Sequence, residues 1–146
     1  MNDLLSCLDP YPIAIPISRI PVPSLNQKKS VMLDFQGGNV TVMVTNLNTA
    51  IDFYTEVLGF QLIQRFCDHW ADIQAPEVSI GLHPTTKAIE RGSNLQIGLR
   101  VKDLEKAIEE LRSNEIEVKI QEDDQVRLAF FFDPDGNTLY LVQPQW

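Results

Sequence analysis

In a chain of 146 residues with only two histidines, His83 is the side chain best suited to moving a proton, because imidazole ordinarily titrates near neutrality. It ends the run Val78 to His83, two residues past Gly81 and therefore on the same face of an alternating strand. There it can serve as a general base or a metal ligand. Pro84, which follows it, is equally consistent with a strand-end residue at a cavity rim. His69 and Asp72 add metal-capable groups on a neighbouring strand whose register the sequence does not give. Trp70, Asp72 and Gln74 alternate with Ala71 and Ile73, which puts an indole and a carboxylate on one side. Trp70 and Tyr140 each offer a flat apolar surface with one polar handle, suited to a planar or cationic ligand, or to packing at a cavity wall or dimer interface. Arg100 and Arg127 can hold a carboxylate or phosphate by forked hydrogen bonds, or pair within the protein. Phe130, Phe131 and Phe132 read as core, with Phe130 and Phe132 on one face and Phe131 on the other, and Glu122-Asp123-Asp124 reads as a solvated turn. No GxGxxG, P-loop, GxSxG or CxxC motif is present, so no cofactor is implied.

The elements that position these groups alternate along the chain. Asn39 to Val44 is a β-branched strand, followed by a helix from Thr49 to about Leu58 with Asn46 or Asn48 as its cap and Gly59 as its stop. Strands are expected at Gln61 to Phe66, Trp70 to Gln74 and Val78 to His83, with a turn at Ala75-Pro76. After the loop Thr85 to Asn94 the pattern restarts: strand Leu95 to Val101, a helix led by Asp103 through Ser113, then strands at Glu117 to Gln121 and Val126 to Phe132. The turn Asp133-Pro134-Asp135-Gly136-Asn137 precedes a closing strand, Thr138 to Val142. Val44-Thr45-Asn46-Leu47 matches Val101-Lys102-Asp103-Leu104 at an offset of 101 − 44 = 57, and Ala50-Ile51 falls on Ala107-Ile108. Two copies of a βαβββ unit follow, at about 38–84 and 95–144, with sheets expected to combine into one curved surface.

Twenty acidic against twelve basic residues give a formal charge of −8, which argues against nucleic acid and anionic lipid as partners. No apolar run reaches the roughly 18 residues of a membrane span. Cys7 and Cys67 lie far apart without a CxxC pair, so the spacing supports neither a disulfide framework nor a zinc finger, and a cytoplasmic location is expected. Residues 1–31 hold Pro10, Pro12, Pro16, Pro21 and Pro23 and are expected to form an extended N-terminal segment beside a domain spanning 32–146.

The segments TNLNTAIDFYTEVLGFQL, IGLHP, LRVKDLEKAIEELRSNEIEV and AFFFDPDGNTLYLVQ, ordered within an internal duplication, resemble the vicinal oxygen chelate superfamily of glyoxalases, bleomycin-resistance proteins and extradiol dioxygenases. The resemblance covers residues 38 to about 144. It implies an α+β fold in which two βαβββ modules form a curved mixed sheet around a cavity, helices outside. Strand alternation agrees: Val40, Val42 and Val44, Ile97, Leu99 and Val101, Ile80 and Leu82, and Leu139 and Leu141 make an aliphatic face, leaving small and polar groups on the other.

In metal-using members, that resemblance places one ligand on each of four strands, and the corresponding positions here are Asn39, Gly81, Gln96 and Tyr140. None is the usual His or Glu, so no metal is expected. The reading that follows is metal-independent binding of a small molecule in a cavity lined by Asn39, Trp70, Gly81, His83, Gln96, Arg100 and Tyr140. The alternative is a lyase or isomerase acting on a small oxygenated substrate, either metal-independent with His83 and Tyr140 as acid and base, or with rearranged metal ligands. A homodimer is implied by the resemblance.

Overall fold

The computed structural model describes residues 37–92, 94–122, 124 and 126–144. The readings made for residues 1–31, and the domain start at 32, lie outside that range. From Asn39 onward the chain forms one unit, and its strands make two four-stranded sheets.

In the first module, β1 (Val40–Val44) leads to α1 (Leu47–Asp52), a π-helical turn (Phe53–Val57), and β2 (Gln61–Phe66), β3 (Trp70–Ala75) and β4 (Val78–Pro84). The strand order is β1-β4-β3-β2. β1 runs parallel to β4 in the register Val40↔Ile80 and Val42↔Leu82. The second module repeats this with β5 (Ile97–Arg100), α2 (Leu104–Ser113), β6 (Lys119–Glu122), β7 (Arg127–Phe132) and β8 (Thr138–Val142), ordered β5-β8-β7-β6. In each module the first strand pairs with the last, the parallel closure that a βαβββ unit requires.

Both helices start in the same way. Asn46 accepts a hydrogen bond from the Thr49 N–H at 3.0 Å, and Asp103 accepts one from the Lys106 N–H at 3.0 Å, each satisfying a donor that the first turn leaves free. They end differently. The expected single helix to Leu58 changes at Phe53 into a π-helical turn, where the Leu58 N–H donates to the Phe53 carbonyl at 3.2 Å. The wider turn lets the adjacent residues Phe53 and Tyr54 both face inward, and both are buried. Gly59 then takes φ +71, a conformation that costs a residue with a Cβ.

The core lies between the sheets and the helices. Val42, Val44, Ile73, Ile80 and Leu82 meet Ala50, Ile51 and Phe53; Ile97, Phe131, Leu139 and Leu141 belong to the same cluster as Leu104, Ile108 and Leu111 of α2. Each such aliphatic side chain contributes about 1.5–3 kcal/mol by leaving water. Of the Phe130–Phe132 run only Phe131 is core. Phe132 is exposed with Lys119 above its ring, and Phe130 packs beside Tyr140 on the opposite face, because strand alternation sends neighbours to opposite sides. Cys67, at the β2–β3 turn with φ 47, is disulfide-bonded, contrary to the expectation from spacing. Among the described residues no helix is long and apolar enough to cross a membrane.

Candidate functional site: the face of the sheets away from the helices

On β3 and β4 the alternation delivers Trp70, Asp72, Gly81 and His83 to the side opposite the core. Trp70 is only 4% exposed. Its indole Nε1 donates to Asp72 Oδ1 at 2.6 Å, which fixes the ring, and its six-membered edge lies over Gly81, where a Cβ would overlap it. Asn39 reaches the same spot: its Nδ2 would lie 2.8 Å from that Cβ. His83 meets Trp70 edge to face, with ring centroids 5.9 Å apart. The Nδ1 of His83 is buried and has no hydrogen-bond partner among the described residues.

The second module has a parallel arrangement. Tyr140 of β8 is the direct neighbour of Gly98 on β5, and its ring and hydroxyl occupy the space a Cβ at 98 would need. Phe130 flanks it with ring centroids 5.7 Å apart. Gly98 was not singled out from the sequence, although a glycine inside a strand signals close approach by another group.

Asn39, Trp70, Gly81 and His83 are thus gathered on the first sheet, and Tyr140 on the second beside Gly98 and Phe130. Asn39 and Gln96 stand one residue before β1 and β5, which begin later than the alternation suggested. Arg100 is an exposed residue whose guanidinium holds Glu77 at 2.6 Å across the modules. Arg127 lies on the helix side, between Glu105 of α2 and Glu122 of β6, so it is not a cavity group.

The four positions at which the resemblance places metal ligands do not fit a divalent ion. Position 81 has no side chain, and the Trp70 ring fills the space one would take. Asn39 and Gln96 are neutral amides, and Tyr140 lies over Gly98. Among the described residues no three His, Cys, Asp or Glu side chains converge to hold an ion, which also separates His69 and Asp72 from His83 as a ligand set.

Where the modules meet, the turn after β7 binds the first module. Asp133 is 4% exposed. It accepts hydrogen bonds from Tyr54 Oη at 3.1 Å, from the Asn137 and Asp135 N–H groups at 2.8 and 3.0 Å, and from Asn137 Nδ2 at 2.8 Å. Burial raises the Asp133 carboxyl above its ordinary range, while these donors pull it back. Burial, followed by the neighbouring Asp133 charge, drives the Tyr54 hydroxyl far above its ordinary range. Asp135 accepts from the Thr45 N–H and Oγ1 at 3.1 and 2.6 Å, and Asn137 Nδ2 donates to the Met43 carbonyl at 3.1 Å. The matching turn of the first module, at Pro76 and Glu77, reaches β5 through the Glu77–Arg100 pair and leaves a groove of about 500 Å³. A second cleft, about 510 Å³, runs between the outer edge of β1 and the loop after Thr85. Neither is lined by Trp70, Gly81, His83 or Tyr140.

Residues 38–141 match the family model described as Glyoxalase/Bleomycin resistance protein/Dioxygenase superfamily. No curated protein matches the chain in sequence. Among solved structures, a genomically encoded fosfomycin resistance protein from Listeria monocytogenes superimposes with a TM-score of 0.66 at 16% identity, covering 77% of this chain and 96% of its own. An integron cassette protein from the mobile metagenome of Halifax Harbour sewage outfall gives 0.65 at 23%, covering 75% and 100%. A lactoylglutathione lyase from Agrobacterium tumefaciens gives 0.63 at 14%, covering 73% and 92%. At these identities the likeness concerns the fold alone.

Proposed function

Because the chain belongs to the glyoxalase/bleomycin resistance protein/dioxygenase superfamily, we propose that it binds a small organic molecule on the sheet face away from its helices, without a metal ion. The observation that carries this reading is the Trp70 indole, hydrogen-bonded to Asp72 and seated over Gly81 where a metal-using relative would need a side chain. A tethered aromatic ring with a carboxylate and an imidazole beside it makes an apolar wall with a few oriented polar groups, the usual composition of a small-molecule site. Asn39, His83, Gln96 and Tyr140 complete the proposed ligand-contacting set. Arg100 contributes only when a ligand competes with Glu77 for it.

The enzymatic alternative draws on one observation, the partnerless Nδ1 of His83. Tyr140, its proposed acid–base companion, lies on the other sheet. A homodimer belongs to the same proposal, supported by the exposed Met43 and Phe132 on this face.

The test is metal analysis of untagged protein purified without chelator, combined with thermal-shift titration of Zn²⁺, Mn²⁺, Ni²⁺ and Fe²⁺ and of a panel of small organic molecules. The expected outcome is no metal, no shift with the ions, and stabilisation by an organic ligand that Trp70→Leu abolishes, following RT ln(1 + [L]/Kd). One ion per chain would overturn the metal-independent reading and restore the enzyme.

A further inference from the structure

The two seams between the modules are pseudo-equivalent, because the 57-residue offset maps β1 and α1 onto β5 and α2. In one seam the Asp133–Asn137 turn is seated against the helix, with Tyr54 receiving it, and the space left there lies only along the outer edge of β1. In the other, the position matching Tyr54 is 54 + 57 = 111, a leucine, and the shorter Pro76-Glu77 turn stops at the rim. What remains is a groove of about 500 Å³ walled by Leu58, Phe60, Leu99 and Leu111.

Its rim is acidic. Glu77 and Glu110 both line it; Arg100, the one basic residue lining it among the described residues, is held by Glu77, and Lys106 reaches Glu110 at 4.0 Å. The chain as a whole carries −8. Apolar walls under a rim of net negative charge complement a molecule with a greasy body and a cationic head. The volume lies within the range that holds a drug-sized ligand.

We propose that this groove is a second binding site, distinct from the sheet face, for a small amphiphilic cation whose apolar body takes the place that Tyr54 and its turn occupy against the twin helix. Its apolar part lies against Leu99 and Leu111, and its ammonium group faces Glu77 and Glu110.

The experiment uses the full chain and N-phenyl-1-naphthylamine, a neutral apolar dye that fluoresces on leaving water, displaced by decyltrimethylammonium or by decyl sulfate below their micellar concentrations. The ammonium compound is expected to displace the dye at roughly tenfold lower concentration than the sulfate. Glu110→Gln narrows that gap, and Glu77→Gln, which frees Arg100, reverses it. Ala107→Phe, which places a ring in the groove from α2, lowers dye affinity by about tenfold or more while the protein stays folded by circular dichroism; Val78→Phe makes the same test from β4 if that variant does not fold. Dye held on the sheet face instead would respond to Trp70→Leu and not to Ala107→Phe, so failure here is separable from failure of the sheet-face reading. Unchanged dye affinity in folded Ala107→Phe, or displacement indifferent to head-group charge, overturns the proposal. So does sedimentation showing that wild type excludes the dye as a dimer which Ala107→Phe dissociates, because the groove would then be covered by a second copy.

Discussion

The two seams of this molecule are built on the same frame, and where the turn meets the helix one is closed by polar contacts while the other stays open. Asp133, Asp135 and Asn137 are tied to Tyr54, Thr45 and Met43 in the first, whereas among the described residues one exposed ion pair, Arg100 with Glu77, spans the second. The difference rests on the length of a turn and on one receiving residue, Tyr54 or Leu111. Duplication therefore supplies two similar surfaces, and small local changes decide which is used for cohesion.

The largest effect expected is at Asp133. Replacing it with alanine leaves Tyr54 Oη and the Asn137 and Asp135 N–H groups without their acceptor, and about 3 kcal/mol of stability should be lost in urea unfolding. A loss below about 1 kcal/mol would mean that apolar packing, not this carboxylate, closes the seam. The pH dependence sharpens the same point. The folded Asp133 carboxyl titrates above its unfolded value, so the folded state holds the proton more tightly, and stability from this group is present below the unfolded pKa and falls as pH rises through the folded one. Comparing Asp133→Asn with wild type should show that decline removed; a parallel profile in the two proteins would contradict it.

The glycines under aromatic rings give the next effect. Gly81→Ala forces the anchored, buried Trp70 ring to move and should cost about 2 kcal/mol. Gly98→Ala meets Tyr140, which is only half-buried and freer to turn, so about 1 kcal/mol is expected. Thermal unfolding of the pair would reveal equal costs if the Asp72 hydrogen bond did not hold the indole in place. The smallest effect belongs to the open seam: Glu77→Ala should change stability by less than about 0.5 kcal/mol, since both partners of its ion pair are exposed. A change as large as that at Asp133 would erase the contrast between the seams.

The alternation of Val40, Val42 and Val44, of Ile80 and Leu82, and of Leu139 and Leu141 was legible because one face of each strand is core, and a core face leaves a period-two record. Asp103 and Asn46 were legible as caps for a similarly local reason. The π-helical turn was not, since it arises from tertiary demand to bury Phe53 and Tyr54 together. Nor was the side taken by Arg127 and Phe130, where Arg127, Ala129 and Phe131 follow the core and a triple-phenylalanine run masks the phase. The candidate site was legible as a list of residues. Its organisation came from contacts between distant segments, such as Trp70 over Gly81 and Tyr140 over Gly98, which no spacing in one strand encodes.

One irregularity bears on how the protein behaves in a crowded solution. The outer strand β2 exposes Leu62 and Ile63, and its pairing with β3 slips between Leu62 and Gln64. A straight apolar border strand is a template on which other chains can stack into fibrils; a bulge bends it, and the ion-paired Arg65 beside it adds a charge that a stacked copy would have to desolvate. The slipped register thus acts as a guard against aggregation, and restoring even pairing by deleting Ile63 would be expected to make this border adhesive.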